Sequence, residues 1–164
     1  MTAMQKFTRL GLIAVVLLGC VGCDQLSKQL VRSHIAPGAS QSFLGDALRL
    51  THAQNPGAFL GAGASLSPLL RAVIFQGVVG VIVLGLLYGA VFMRKLDTWR
   101  AVALTLLAAS GLGNLIDRVM QHGLVTDFLN VGIGPLRTGI FNVADMVGLI
   151  GIAIFMLRPA GKAR

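Results

Sequence analysis

Apolar residues run through this chain in long uninterrupted blocks separated by short polar connections, and four of those blocks are candidate membrane helices. The clearest is Ala72 to Met93, AVIFQGVVGVIVLGLLYGAVFM, which carries no charge and suffices for roughly 30 Å of hydrocarbon. The first block covers about residues 8–31 and turns polar from Asp24 onward. The third covers about 99–120 and ends in GNLIDRVM; the fourth covers about 139–157 and carries FNVAD near its start. Glycines recur inside the blocks, where small residues let membrane helices approach closely. Between the first two blocks, residues 32–66 are too short and too polar for another span. There the Gly45-Asp46 turn signal separates short runs in which Leu48 and Leu50 alternate with polar neighbours, which predicts a small β-hairpin on the membrane surface. Ser67-Pro68 marks a start for the second span. The expectation is a single membrane domain over 1–164, all-α in its spans, with four transmembrane helices.

Composition supports the pattern. Hydrophobic residues make up 55% of the chain and charged residues 12%, against about 25% charged in ordinary globular domains. The net charge of +8 does not argue for nucleic acid, because Lys and Arg flank the apolar blocks and do not cluster on one solvated face. They act as topology signals. Lys6 and Arg9, then Arg94, Lys95 and Arg100, then Arg158, Lys162 and Arg164 all fall on one side of a four-span chain. By the positive-inside rule that side is the cytoplasm, with both termini there.

The stretch LIAVVLLGCVGC, behind Lys6 and Arg9, has the form of a signal peptide, and Leu17-Leu18-Gly19-Cys20 resembles a lipobox. Three further spans follow, so the stretch is expected to be the first transmembrane helix and to be retained. Cys20 and Cys23 form a C-x-x-C without the electropositive setting of a reactive thiol, and are expected to be buried small residues. His34, His52 and His122 do not join them at zinc-ligand spacing, so neither a metal nor a cofactor is expected.

Charge then narrows the chemistry. The chain has no glutamate and only six aspartates. The topology carries Asp24, the group Asn114, Asp117 and Arg118, the pair Asn142 and Asp145, and Asp127 all toward the outer face. A carboxylate in hydrocarbon costs about 2.5–3.5 kcal/mol at a helix centre, so such residues are functional or paired. Asp117 beside Arg118 allows a structural pair, or an anchor to another polar group. Asp145 has no cation within a turn, and Asp127 has no local partner. Two carboxylates brought together at an apolar boundary hold one proton between them, which is the chemistry of an aspartic protease. The alternative is that Asp127 and Asp145 stay apart and serve local structure. Intramembrane aspartates also build proton or ion paths, so a transporter is the rival function.

DQLSK at 24–28, NPGAF at 55–59, GLGNLIDR at 111–118, VTDF at 125–128 and FNVAD at 141–145 together resemble lipoprotein signal peptidase, the signal peptidase II family of bacteria. The resemblance implies a multi-pass aspartic endopeptidase of the cytoplasmic (inner) membrane with its active site on the outer face. Such an enzyme removes signal peptides from diacylglyceryl-modified prolipoproteins by cutting before the lipidated cysteine. It implies Asp127 and Asp145 as the catalytic pair, with Asp24, Asn55, Asn114, Asp117, Arg118 and Asn142 binding substrate or supporting the pair. It further implies a β-rich extracytoplasmic cradle, lipidated prolipoproteins and membrane lipid as partners, inhibition by globomycin-type antibiotics and a monomeric enzyme. Two positions depart from the family pattern: Ala109-Ser110 stand where Gly-Gly is usual, and Phe59 directly follows Ala58.

Overall fold

A computed structural model describes residues 3–58, 61–93 and 95–157. Phe59, Arg94, Arg158, Lys162 and Arg164 therefore lie outside the described residues. The elements in chain order are helix α1 (Ala3–His34), strands β1 (Ser40–Phe43) and β2 (Leu48–Asn55), helix α2 (Pro68–Ala72), a π-helical stretch (Val73–Val78) and helix α3 (Val79–Phe92). Helix α4 (Thr98–Met120), strands β3 (Val125–Ile133) and β4 (Leu136–Arg137) and helix α5 (Val143–Leu157) complete the chain. Three helical segments, residues 4–34, 68–92 and 98–120, are long and apolar enough to cross a membrane; α5 is apolar but shorter.

Large apolar side chains point outward along all of these helices, for example Val15, Leu18, Val81, Leu84, Met156 and Leu157. In water such a surface would be a severe liability; against lipid it is the expected one. What packs between the helices is small: Ala90, Ala101, Ala103, Ala108, Ala109, Ala144, Gly148 and Gly151 are buried. A Cβ added at Gly148 would meet Ser110 Oγ at 2.6 Å, so α4 and α5 touch where the Ala109-Ser110 departure falls. Small residues at these positions keep the backbones close.

The helix ends are capped from the sequence. Ser67 caps α2 by accepting from Leu70 N, with Pro68 at the first helical position, and Asp97 caps α4 by accepting from Arg100 N. Arg9 donates to the carbonyls of Ala90, Leu96 and Met93 around the end of α3, so this residue does local structural work beyond its topological charge. Helix α1 runs unbroken through Cys20. The expectation of buried cysteines is corrected: Cys20 is half-buried and Cys23 is exposed, because this face of α1 belongs to the outward apolar surface and not to the packed interior.

The strands form one antiparallel sheet in the order β1-β2-β3-β4. The β1–β2 hairpin turns at residues 44–47, where Asp46 has φ +73° and accepts from Ser42 and Arg49. The register of β2 on β3 shifts between Leu50 and Ala53, which brings Ala53 opposite Asp127 and Asn55 opposite Val125. Beneath the sheet Phe128 packs on Val31 and Ile35 at the end of α1, with Leu50, Leu129 and Val143 around them. Strand alternation then turns the neighbouring residue, Asp127, to the opposite side.

Candidate active site

The fourth apolar block begins its helix later than the expected residue 139. Phe141 pairs instead with Leu129 of β3, and α5 starts at Val143. The reason is a capping box. Asn142 Oδ1 accepts from Asp145 N at 3.0 Å, while Asp145 Oδ2 accepts from Asn142 N at 3.1 Å. Asn142 and Asp145 are therefore joined by a reciprocal helix start, and the cap fixes one oxygen of the carboxylate.

The buried Asn142 amide spends its remaining donors on the other two elements. Its Nδ2 donates to Asp127 Oδ1 at 2.6 Å and to Asn114 Oδ1 at 3.0 Å. Asn114, on α4, donates its own Nδ2 to Asp145 Oδ1 at 3.1 Å. Asn55, diagonal to Asp127 across the β2–β3 pair, donates to Asp127 Oδ2 at 2.9 Å. A second Asn55 donor reaches Ala58 O, and its Oδ1 accepts from Gly57 N, so the Asn55 side chain also shapes the turn that follows β2. Each carboxylate thus has both oxygens held, by donors from β2, α4 and the start of α5.

Asp127 is buried (4% exposed). Burial pushes its carboxyl up to about 6, and the nearby Asp145 adds to the rise, while hydrogen bonds from Asn55 and Asn142 and the charge of Lys28 oppose it. A carboxyl titrating there exchanges its proton close to neutral pH, which suits acid–base work.

Arg118 crosses from α4 to the turn after β2. Its Nη2 donates to Gly57 O at 2.7 Å, its Nη1 to Asn114 O at 3.3 Å, and its guanidinium lies 5.2 Å from the centre of the Phe75 ring. Asp117, adjacent in sequence, faces elsewhere and does not pair with Arg118. Its Oδ2 lies 3.4 Å from Lys28 Nζ and accepts from Thr126 N, and its Oδ1 is 3.5 Å from Arg32. Asp117 is an anchor for the start of β3. Asp24 anchors the start of α5 in the same way, with Oδ1 accepting from Ala144 N at 2.9 Å and Oδ2 meeting Lys28 Nζ at 2.8 Å. Neither of these two aspartates bonds Asp127 or Asp145.

Lys28 belongs to the site although the motif spacing did not single it out. It is fully buried, and its ammonium joins Asp24, Asp117 and, at 2.9 Å, Asn114 Oδ1. That last bond makes Asn114 Oδ1 the acceptor of two donors and so directs the Asn114 amide nitrogen toward Asp145. The signal was present in the i, i+4 spacing of Asp24 and Lys28.

A cleft opens beside each of the two carboxylates. One, about 460 Å³, is lined by Asn55, Pro56, Gly61, Asp127, Gly139 and Ile140 beside the sheet. The other, about 310 Å³, is an apolar groove between α4 and α5 lined by Leu107, Ser110, Gly148, Leu149 and Ile152, with Asp145 at its edge. Among the described residues, no three His, Cys, Asp or Glu side chains are grouped so as to hold a metal ion.

Known proteins with the same pattern are numerous. The sequence profile of the family described as Signal peptidase (SPase) II matches residues 15–159. The lipoprotein signal peptidase of Moorella thermoacetica is 34% identical over 142 residues, covering 85% of this chain and 88% of that protein. That of Streptococcus pneumoniae is 33% identical over 147 residues, covering 89% and 90%. A bacterial membrane enzyme solved in meso at 1.9 Å superposes with a TM-score of 0.78 at 29% identity, over 90% of this chain and 91% of that one. A profile match over this length, relatives at this identity and a shared membrane fold agree, and the chain belongs to the signal peptidase II family.

Proposed function

We propose that this protein is an aspartic endopeptidase that removes signal peptides from diacylglyceryl-modified prolipoproteins, cutting before the lipidated cysteine. The observation that carries the reading is the Asn142 bridge. One buried amide hydrogen-bonds Asp127 directly and closes a capping box with Asp145, so two carboxylates from different elements are held at a single point. Membership of the signal peptidase II family supports the same reaction and lends the transporter alternative no support.

In the proposed mechanism one carboxylate, ionised, takes a proton from the attacking water, and the other, protonated, gives its proton to the scissile carbonyl oxygen. The tetrahedral adduct then collapses, the amide nitrogen leaves with a proton, and the pair returns to its singly protonated form. Asn114 and Asn142 keep the two carboxyl groups oriented through this exchange. Arg118 acts by securing the turn at Gly57 over the site, and Asn55 by tying that turn to Asp127. The apolar groove between α4 and α5 offers a lateral route for a hydrophobic signal peptide, and the polar cleft beside the sheet offers one for water.

The proposed setting is a monomer in the bacterial cytoplasmic membrane with four spans, α5 being the fourth, and both termini in the cytoplasm. The sheet forms an outer cradle and the active site faces the same side. Globomycin-type antibiotics, as substrate mimics, would occupy the two clefts. The test is cleavage of a purified diacylglyceryl-modified prolipoprotein followed by gel shift. Wild type should cut it, and Asp127→Asn and Asp145→Asn, both folded, should not; full activity in either variant would refute the assignment of the pair.

A further inference from the structure

A third cleft, apart from the two at the carboxylates, lies between the start of the second membrane segment and the end of α4. It has a volume of about 140 Å³, and its polar lining is Arg71, Gln76, Arg118 and His122, with no carboxylate. The Arg71 and His122 side chains have no hydrogen-bond or ion-pair partner among the described residues. Arg118 is 6% exposed, and its Nε–H is buried without a partner although both terminal nitrogens are engaged. An orphaned buried donor beside two unpaired basic side chains is an arrangement that an anion completes.

The surroundings say which anion. Leu69 and Val73, sequence neighbours of the lining residues Pro68 and Ala72, and Val119 and Met120, which follow Arg118, are 53–74% exposed apolar side chains. They place it where an apolar helix surface gives way to the polar sheet and turns, the level of phospholipid phosphates in a bilayer. The absence of a carboxylate from the lining leaves no partner for a choline or ethanolamine cation. We propose that this cleft binds the phosphate of an anionic phospholipid, with Arg71 and His122 as its ligands and the Arg118 Nε–H as the inner donor. The lipid then buttresses Arg118 from behind, on the side away from Gly57, and couples the turn over the carboxylates to the lipid composition of the bilayer.

The experiment is native mass spectrometry of the purified full chain titrated separately with dioleoylphosphatidylglycerol, dioleoylphosphatidylcholine and inorganic phosphate. Wild type should retain one phosphatidylglycerol at concentrations that leave phosphatidylcholine unbound. Removing a cation near the headgroup weakens such binding about fivefold. Arg71→Gln should show one such step, and adding His122→Asn, which removes a ring hydrogen-bonding group from the cleft, should weaken retention further; Asn is chosen because His122 has φ +53°, a conformation Asn tolerates. Arg49→Gln, which removes a positive charge from the β-hairpin, should leave retention unchanged. Equal retention by wild type and Arg71→Gln, or equal loss in Arg49→Gln, would overturn the site. Retention of inorganic phosphate but not of phosphatidylglycerol would overturn the lipid assignment.

Discussion

Lys28→Met removes the one ammonium that joins three side chains on two helices. In the intact protein Lys28 and Arg32 face Asp24 and Asp117, two positive charges against two negative, with Asp24, Asp117 and Lys28 all at or below 1% side-chain exposure. Without Lys28, Asp24 keeps only hydrogen-bond donors, Ala144 N and Gln25 Nε2, and Asp117 keeps Arg32 at 3.5 Å. Breaking a buried pair by removing one partner costs about 3–5 kcal/mol, roughly a fifth or more of the 5–15 kcal/mol typical of a folded domain. The Lys28→Met protein should therefore melt far below wild type in detergent. Asp24→Asn in the same background removes the stranded charge while keeping an acceptor for Ala144 N, and should restore a substantial part of the loss. Stability read by intrinsic fluorescence melting gives this double-mutant cycle directly. Activity should not recover fully with stability, because Asn114 Oδ1 has lost its charged donor and keeps only Asn142 Nδ2, so the Asn114 amide is held less firmly toward Asp145. Lys28→Met melting with wild type, or a double variant less stable than the single, would refute the account of the cluster.

Other variants probe the carboxylates and their supports. Asn142→Ala should lower kcat by about tenfold to a hundredfold, since a hydrogen bond to a charged group contributes about 1.5–3 kcal/mol, and steady-state cleavage checks it. Asn55→Ala removes a bond that favours ionised Asp127, so the limb of the pH–rate profile near 6 should move to higher pH. The same carboxyl links stability to pH. Its proton affinity is raised on folding from an ordinary value of 3.8 to about 6. The folded state is therefore favoured fully below about 4 and loses up to about 3 kcal/mol as pH rises through 6, a slope that melting curves should show in wild type and not in Asp127→Asn. Gly113→Ala would bring a Cβ within 2.7 Å of Asp24 Oδ2 and should lower the melting temperature by displacing Asp24 from Ala144 N.

Much of the membrane framework was legible because long apolar blocks, and the Ser67-Pro68 helix start, are local signals. Asn142 and Asp145 stand three apart near the start of the fourth apolar block, and what joins them is a helix start, not a shared helix face. The helix begins between them, and Phe141 is claimed by β3 through a bridge to Leu129 that no local pattern announces. Strand β3 itself was missed for the same reason. VTDF is buried at every position, so the period-two alternation that reveals a half-exposed strand is absent. Asp117 and Arg118, neighbours in sequence, diverge because adjacent helical residues point about 100° apart, and their partners lie on α1 and beyond β2. Lys28 has the sequence context of one more topological charge, and only the fold encloses it among acceptors.

The most direct measurement of the central claim is cleavage of diacylglyceryl-modified prolipoprotein in ¹⁸O-labelled water, with both products weighed. Direct attack by water activated at Asp127 and Asp145 predicts a product starting at the lipidated cysteine. It also predicts a signal peptide carrying one solvent oxygen at its new carboxyl terminus, and neither product with folded Asp145→Asn. Cleavage that persists in Asp145→Asn, or a cut elsewhere than before the lipidated cysteine, would contradict it.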